Sequence, residues 1–149
     1  MSNTKIANHI EDRLNQIVES WIYSVRSDSR IKSDHHISSV GLEDHIPVMI
    51  REMCELISSG KTPDRNTANE ARIHAFTRLK QGYRARDVVR ELSLLRLQLL
   101  NQLQEVTRVD RFLPTSELLE ANRIINLYID EDIRYAVAIY TESQTENGE

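Results

Sequence analysis

His74-Ala75-Phe76-Thr77-Arg78-Leu79-Lys80-Gln81-Gly82-Tyr83-Arg84-Ala85-Arg86-Asp87-Val88-Val89-Arg90-Glu91-Leu92-Ser93-Leu94-Leu95-Arg96 reads as the end of one helix, a glycine break and the opening of a second helix. Before the break, Ala68, Ala71, Ala75, Phe76 and Leu79 recur at helical spacing, with Asn66 or Thr67 placed to cap the segment. Gly82 tolerates backbone angles that other residues resist, so it ends or bends that helix. Beyond it, Asp87 is a cap or first-turn acid for a helix through Val88, Val89, Leu92, Leu95, Leu99 and Leu103. Leu94, Leu97 and Leu100 widen its apolar face to the breadth expected of a helix covered on two sides.

The same periodicity runs outward in both directions. Ile6, Ile10, Leu14, Ile17, Val18, Trp21, Ile22 and Val25 form one stripe and predict a helix over residues 5–26. The polar residues 27–39 read as a connector. From Leu42 the pattern resumes through Ile46, Met49, Ile50, Met53, Leu56 and Ile57, stopped by Gly60, with Pro47 confined to a first turn or a kink. Pro114, Thr115 and Ser116 open a last helix through Leu118, Ile125, Ile129, Ile133, Ala136, Val137 and Tyr140, and the polar residues 141–149 are expected to fray. There is no internal repeat and no run of period two. The expected fold is all-α, a bundle of four or five helices or a globin-like packing, with one helical domain over residues 1–140 and a polar tail over 141–149.

Composition agrees. A chain of 149 residues, 40% of them hydrophobic, is about one domain with one core. Four glycines and three prolines are too few for a fold built on many tight turns. Nineteen basic against 23 acidic residues give a net charge of −4, which argues against a wholesale nucleic-acid coat. Cys54, the single cysteine, excludes an intrachain disulfide and a multi-cysteine zinc site and suits a reducing compartment. No signal-peptide run opens the sequence, and no stretch approaches the roughly 20 apolar residues of a membrane span, so a cytoplasmic location is expected.

Candidate chemistry is sparse. No Gly-x-Ser-x-Gly occurs, and the glycines at 41, 60, 82 and 148 are isolated, so neither a hydrolase elbow nor a phosphate-cradling loop is visible. Of the five histidines, His36 and His45 bracket Glu43 and Asp44; solvated loop side chains outweigh a surface metal site there, and no metal is expected. His74 is a candidate haem ligand in a globin-like fold, outweighed by an interior imidazole held by hydrogen bonds, so no cofactor is expected. Residues 71–100 carry seven basic side chains against Asp87 and Glu91, a local charge of +5. Arg84, Arg86 and Arg90 in this stripe could follow a phosphate backbone, giving a nucleic-acid-binding regulator as the alternative function. Pairing with acidic segments such as Asp130-Glu131-Asp132 is the favoured reading, and nucleic acid is not the expected partner.

The order His74-x-x-x-Arg78-x-x-x-Gly82-Tyr83, leading into Glu91-x-x-x-Leu95-Arg96, resembles the N-terminal sensor-like domain of RsbR- and RsbRD-type stress-signalling proteins and bacterial histidine kinases. Leu42-Glu43-Asp44-His45-Ile46-Pro47 and the ending Ala136-Val137-Ala138-Ile139-Tyr140 are similar too. The resemblance implies a regulatory, dimerising input domain without catalysis of its own, joined to or acting on a kinase or phosphorylatable output domain, in a fragment of a two-component histidine kinase or in an adaptor. Its ligand is not legible. His74 and Arg78, four apart, share a face, and Glu91 lies on the following helix. They are expected to form a structural polar cluster in which Arg78 pairs with Glu91, Tyr83 or His74 adds hydrogen bonds, and Arg96 lies alongside. Length and position make the first and last helices the expected dimer interface.

Overall fold

The computed structural model describes residues 4–147, and helices are the sole regular element among them. They run α1 Thr4–Asp12, α2 Leu14–Ser27, a 3-10 turn Ser33–His36, α3 Ser39–Glu43, α4 Ile46–Ser59, α5 Asn69–Lys80, α6 Ala85–Val109 and α7 Thr115–Asn147. The all-α class expected from the periodicity is what the chain adopts. No helix among the described residues is long and apolar enough to cross a membrane.

Where the elements depart from the expected boundaries, the cause is local. The first helix is two: Arg13 leaves helical geometry at φ −108° and ψ 15°, its amide donating to Ile10 O at 3.1 Å. Ile10 and Leu14 on either side stay buried, so a one-residue break leaves the apolar stripe in phase and invisible to a search for periodicity. The helix expected from Leu42 also starts twice. Ser38 Oγ accepts from Gly41 N–H and caps the short α3, Asp44 then turns at φ 29°, and α4 begins at Ile46 with Pro47 in its first turn. Neither Asn66 nor Thr67 caps α5. Asp64 Oδ1 accepts from the amides of Asn66 and Thr67 one turn earlier, and the Thr67 hydroxyl is held at Thr62 O and Asp64. The cap arrives from a different helix: Glu52 of α4 accepts Glu70 N–H at 2.9 Å and the Tyr128 hydroxyl of α7 at 2.6 Å.

Both glycine stops hold. Gly60 ends α4 at φ 72°, donating its N–H to Leu56 O, and Gly82 ends α5 at φ 80°. Helix α7 continues past Tyr140 to Asn147; residues 148 and 149 of the expected tail lie outside the described residues.

α6 and α7 form the spine, with α5 against α7, α2 against α6, and α1 against α4 and α6. One core joins them, with Trp21, Leu42, Ile46, Met49, Ile50, Leu92, Leu95, Ile125, Tyr128 and Ile129 all buried. Each such large apolar side chain contributes about 1.5–3 kcal/mol on burial, ample to accommodate a polar intrusion. One exists: Arg78, His74, Glu91 and Asp132 are buried within the same interior.

Candidate functional site

Each charged side chain of this cluster occupies a position that its helix's own period assigns to the core. Ala71, Ala75 and Arg78 share a face of α5 with His74; Val88, Leu92 and Leu95 flank Glu91 on α6; Ile129 and Ala136 flank Asp132 on α7. Packing the three helices therefore delivers two cations and two carboxylates to one place.

Arg78 is the hub. Its Nε donates to Glu91 Oε1 at 2.5 Å, its Nη2 to Leu42 O at 2.6 Å, and its Nη1 to Gln81 Oε1 at 2.7 Å and Gly41 O at 3.2 Å. Gln81 Nε2 donates to the same Gly41 carbonyl at 3.1 Å. The carbonyls at the end of α3 are thus bound by a side chain of α5. The Tyr83 ring lies 4.8 Å beneath the Arg78 guanidinium, a cation–π contact that covers the remaining face. Trp21 Nε1–H donates to the Glu91 carbonyl at 2.9 Å and joins α2 to the same point.

His74 is held at both ring nitrogens, Nδ1 at 2.9 Å from Asp132 Oδ2 and Nε2 at 3.2 Å from Glu91 Oε1. With a carboxylate at each nitrogen, both carry protons in the imidazolium form. Burial by itself lowers the His74 pKa, yet Asp132 and then Glu91 outweigh burial and the adjacent Arg78, and the pKa rises to about 9. Burial pushes the Asp132 carboxyl above its ordinary range even though His74 pulls it down, so His74 and Asp132 titrate as a coupled pair. Burial pushes the Tyr83 and Tyr140 phenols well above their ordinary range, so both stay protonated. Four polar atoms of this region, Glu91 Oε2, Asp132 Oδ1 and the hydroxyls of Tyr83 and Tyr140, are buried without a partner in hydrogen-bonding geometry.

Of the residues expected in one cluster, His74, Arg78 and Glu91 lie in hydrogen-bonding contact, and Tyr83 meets Arg78 with its ring. Arg96 stands elsewhere, donating to Asn126 Oδ1 at 3.0 Å and Asp130 Oδ1 at 3.2 Å across the α6–α7 seam. One turn beyond Glu91 and one position past the buried Leu95, it points to the partly open side of α6. Asp132 was grouped with Asp130 and Glu131 as a surface acid and is instead buried against His74. Its signal was available: 125, 129, 132, 136 and 140 step by four, three, four and four, so Asp132 interrupts the apolar stripe of α7.

Arg84, Arg86 and Arg90 lie at the start of α6. Arg84 Nε is 3.6 Å from Asp87 Oδ2, Arg90 Nε donates to Asp28 Oδ2 at 2.7 Å, and Arg86 is exposed. His45 pairs with its neighbour Asp44 at 2.9 Å and His35 lies 3.8 Å from Asp34. The described residues contain no group of three or more His, Cys, Asp or Glu side chains arranged to hold a metal ion.

The cluster ties α3, α5, α6 and α7 together through directional bonds. No curated protein and no solved structure matches this chain. The family model described as the RsbT co-antagonist protein rsbRD N-terminal domain matches residues 15–149, nearly the whole sequence, and the chain belongs to that family.

Proposed function

We propose that this chain is a non-catalytic, cytoplasmic sensory input domain that acts as a homodimer and biases an attached or partner output, in a histidine kinase or a related stress-signalling protein. The observation that supports it most is the buried set His74–Arg78–Glu91–Asp132, which ties α3, α5, α6 and α7 through directional bonds. Whatever moves α5 or α6 must move α7, the last helix described, or break charge-assisted bonds. A ligand or partner that prefers one arrangement shifts the population of output-competent molecules by its difference in affinity for the two.

The dimer face on this reading includes α7. The apolar residues of α1, Ile6, Ala7 and Ile10, are buried within the protomer, which leaves that helix a polar exterior. Between α5 and α7, by contrast, Ile73, Phe76 and Tyr135 line an open groove of about 480 Å³, and Val137 is half exposed. A haem on His74 would have to displace a carboxylate from one of its two occupied nitrogens, so the mechanical reading is preferred.

The test joins the domain to a histidine kinase core with measurable autophosphorylation. Arg78→Met and Asp132→Asn should each shift the phosphorylated fraction while the fusion stays folded by circular dichroism. Unaltered phosphorylation in both would refute the regulatory reading, and light scattering that gives a monomer at high micromolar concentration would refute the dimer.

A further inference from the structure

Helix α5 is apolar on two sides. Ala71 and Ala75 are buried inward, while Ile73 and Phe76, three apart on the outward side, remain 43% and 46% exposed. A helix with apolar side chains on more than one face is ordinarily covered on each, yet the second side of α5 stays open. With Asn69, Arg72 and Tyr135, these two residues line the groove of about 480 Å³ between α5 and α7. A second recess of about 330 Å³, walled by Arg65, Glu131, Arg134 and Ala138, shares Arg72 and Tyr135 with the first, so the two make one continuous trench.

The trench is basic as well as apolar. Glu131, the acid in its wall, is paired with Arg134, whereas Arg65, Arg72 and Lys80 make no ion pair among the described residues. Two of these free cations rest on the aromatic rings of the trench, Arg72 at 5.4 Å from the Tyr135 centroid and Lys80 at 4.7 Å from the Phe76 centroid. At exposed positions such contacts are weak, and each leaves its cation without an anion. A partner that brings carboxylates to the cations and apolar side chains to the rings satisfies both.

We propose that this trench docks an acidic amphipathic helix of a partner protein, its apolar stripe on Ile73, Phe76 and Tyr135 and its carboxylates on Arg65, Arg72 and Lys80. The length fits, because α5 from Asn69 to Lys80 presents about 16 Å, or three turns, which suits anchors at i, i+3 or i+4, and i+7. A homodimer can use α7 without filling the trench. Val137 shares a stripe with Asp130, seven residues earlier, and Asp130 accepts from Arg96 on the α6 side of α7. An anionic membrane would also find the cations, but a bilayer takes up apolar side chains that protrude, and these line a recess. The regulatory reading above enters only in calling the owner of the helix a signalling partner. Binding is measured on the chain alone, so a chain that binds the helix but never alters an output refutes that reading and leaves the site in place.

The experiment is an amide-resolved NMR titration with a lactam-stapled helical peptide carrying Leu at i, i+3, i+4 and i+7 and Glu on both flanks. Two controls run beside it, the same peptide with Lys for Glu, and an isomer of the Glu peptide with its leucines scattered round the helix. The Glu peptide should give saturable shifts at Ile73, Phe76, Lys80 and Tyr135, bind at least about tenfold more tightly than either control, and weaken as salt rises. Phe76→Ala, at a half-exposed position, should weaken it by about tenfold. Arg72→Glu should reverse the preference between the Glu and Lys peptides. Leu97→Ala, at an exposed position of α6 outside the trench, should change nothing. Each variant is first required to keep a wild-type-like amide spectrum, and Arg65→Glu, at an exposed loop position, replaces Arg72→Glu if that variant does not. No saturable shift with the Glu peptide, equal binding of the Lys peptide, or insensitivity to both trench substitutions would each overturn the proposal. Loss of the trench signals on phosphatidylglycerol vesicles without a response to the Glu peptide would give the trench to a membrane, and trench shifts that follow protein concentration in the absence of peptide would give it to a second copy. Either result would overturn the proposal as well.

Discussion

Deprotonating His74 should destabilise the protein on the alkaline side of neutrality. In the native chain its pKa is about 9, against an ordinary 6.5 in the unfolded chain. Between those values the folded state holds a proton that the unfolded state has released. Stability is therefore fully present below about pH 6.5 and falls as pH rises, by up to about 1.4 kcal/mol per pH unit. From pH 6.5 to 8.5 the loss comes to about 2 kcal/mol, a large share of a typical domain's 5–15 kcal/mol. Burial pushes the carboxyl of His74's partner Asp132 upward as well, a shift of the same sign, so the slope belongs to the His74–Asp132 pair. Burial lowers the pKa of His9, which acts below 6.5 and with the opposite sign, and burial raises the Cys54 thiol to about 12, which matters above its ordinary 9.0. Asp132→Asn keeps the shape and removes the strongest pull on His74. That variant should be less stable than the wild type by about 3 kcal/mol at pH 6.5, show little slope to pH 8.5, and converge on the wild type as pH nears 9. Urea unfolding followed by circular dichroism at pH 6.5, 7.5 and 8.5 reads all three. A wild type whose stability is flat over that range, or an Asp132→Asn protein that keeps the wild-type slope, would refute a charged, Asp132-paired His74.

Arg78→Met strands Glu91 and the carbonyls of Gly41 and Leu42, and should cost about 3–5 kcal/mol in denaturant titrations. Adding Glu91→Met should cost less than the sum of the two single changes, and strict additivity would show that the pair is not coupled. Gly82→Ala meets no atom within 4 Å, so its cost is backbone strain alone at φ 80°, about 1–2 kcal/mol, seen as a lower melting temperature. Replacing His74, Arg78, Glu91 and Asp132 together by Leu, Met, Leu and Leu should leave stability equal or higher while abolishing the regulated output of the kinase fusion described above. Retained regulation would show that the charges are dispensable to it.

Much of the fold was legible because it rests on period. The apolar stripes located every long helix, and the glycine stops at 60 and 82 fell where left-handed backbone was needed. What was hidden shares one property: it depends on contacts between segments distant in sequence. Glu52 capping α5 is an 18-residue relation that no local capping rule contains, and it displaced Asn66 and Thr67 from the role their chemistry suits. The break at Arg13 was hidden differently, since it preserves the phase of the stripe. For the site, a hairpin argument could bring Arg78 to Glu91, because Gly82 reverses the chain between them. It could not bring Asp132, 58 residues from His74, and the acidic run around it disguised a core position as surface.

A wholly apolar joint between α5, α6 and α7 would bury the same area at less electrostatic cost, which is why stability alone does not account for the cluster. Dispersion contacts weaken gradually as helices slide, whereas Arg78 must meet Glu91 Oε1, Gln81 Oε1 and two carbonyls at once in a fixed fork. Sliding by one turn leaves buried charge unpaired, so intermediate registers are penalised and the permitted arrangements become few and discrete. The partnerless oxygens of Glu91 and Asp132 sharpen this, since each carboxylate has capacity for a donor that the present arrangement does not supply. Discrete rather than graded arrangements are what the proposed input role requires, because a ligand can shift a population only between states that differ in how they bind it.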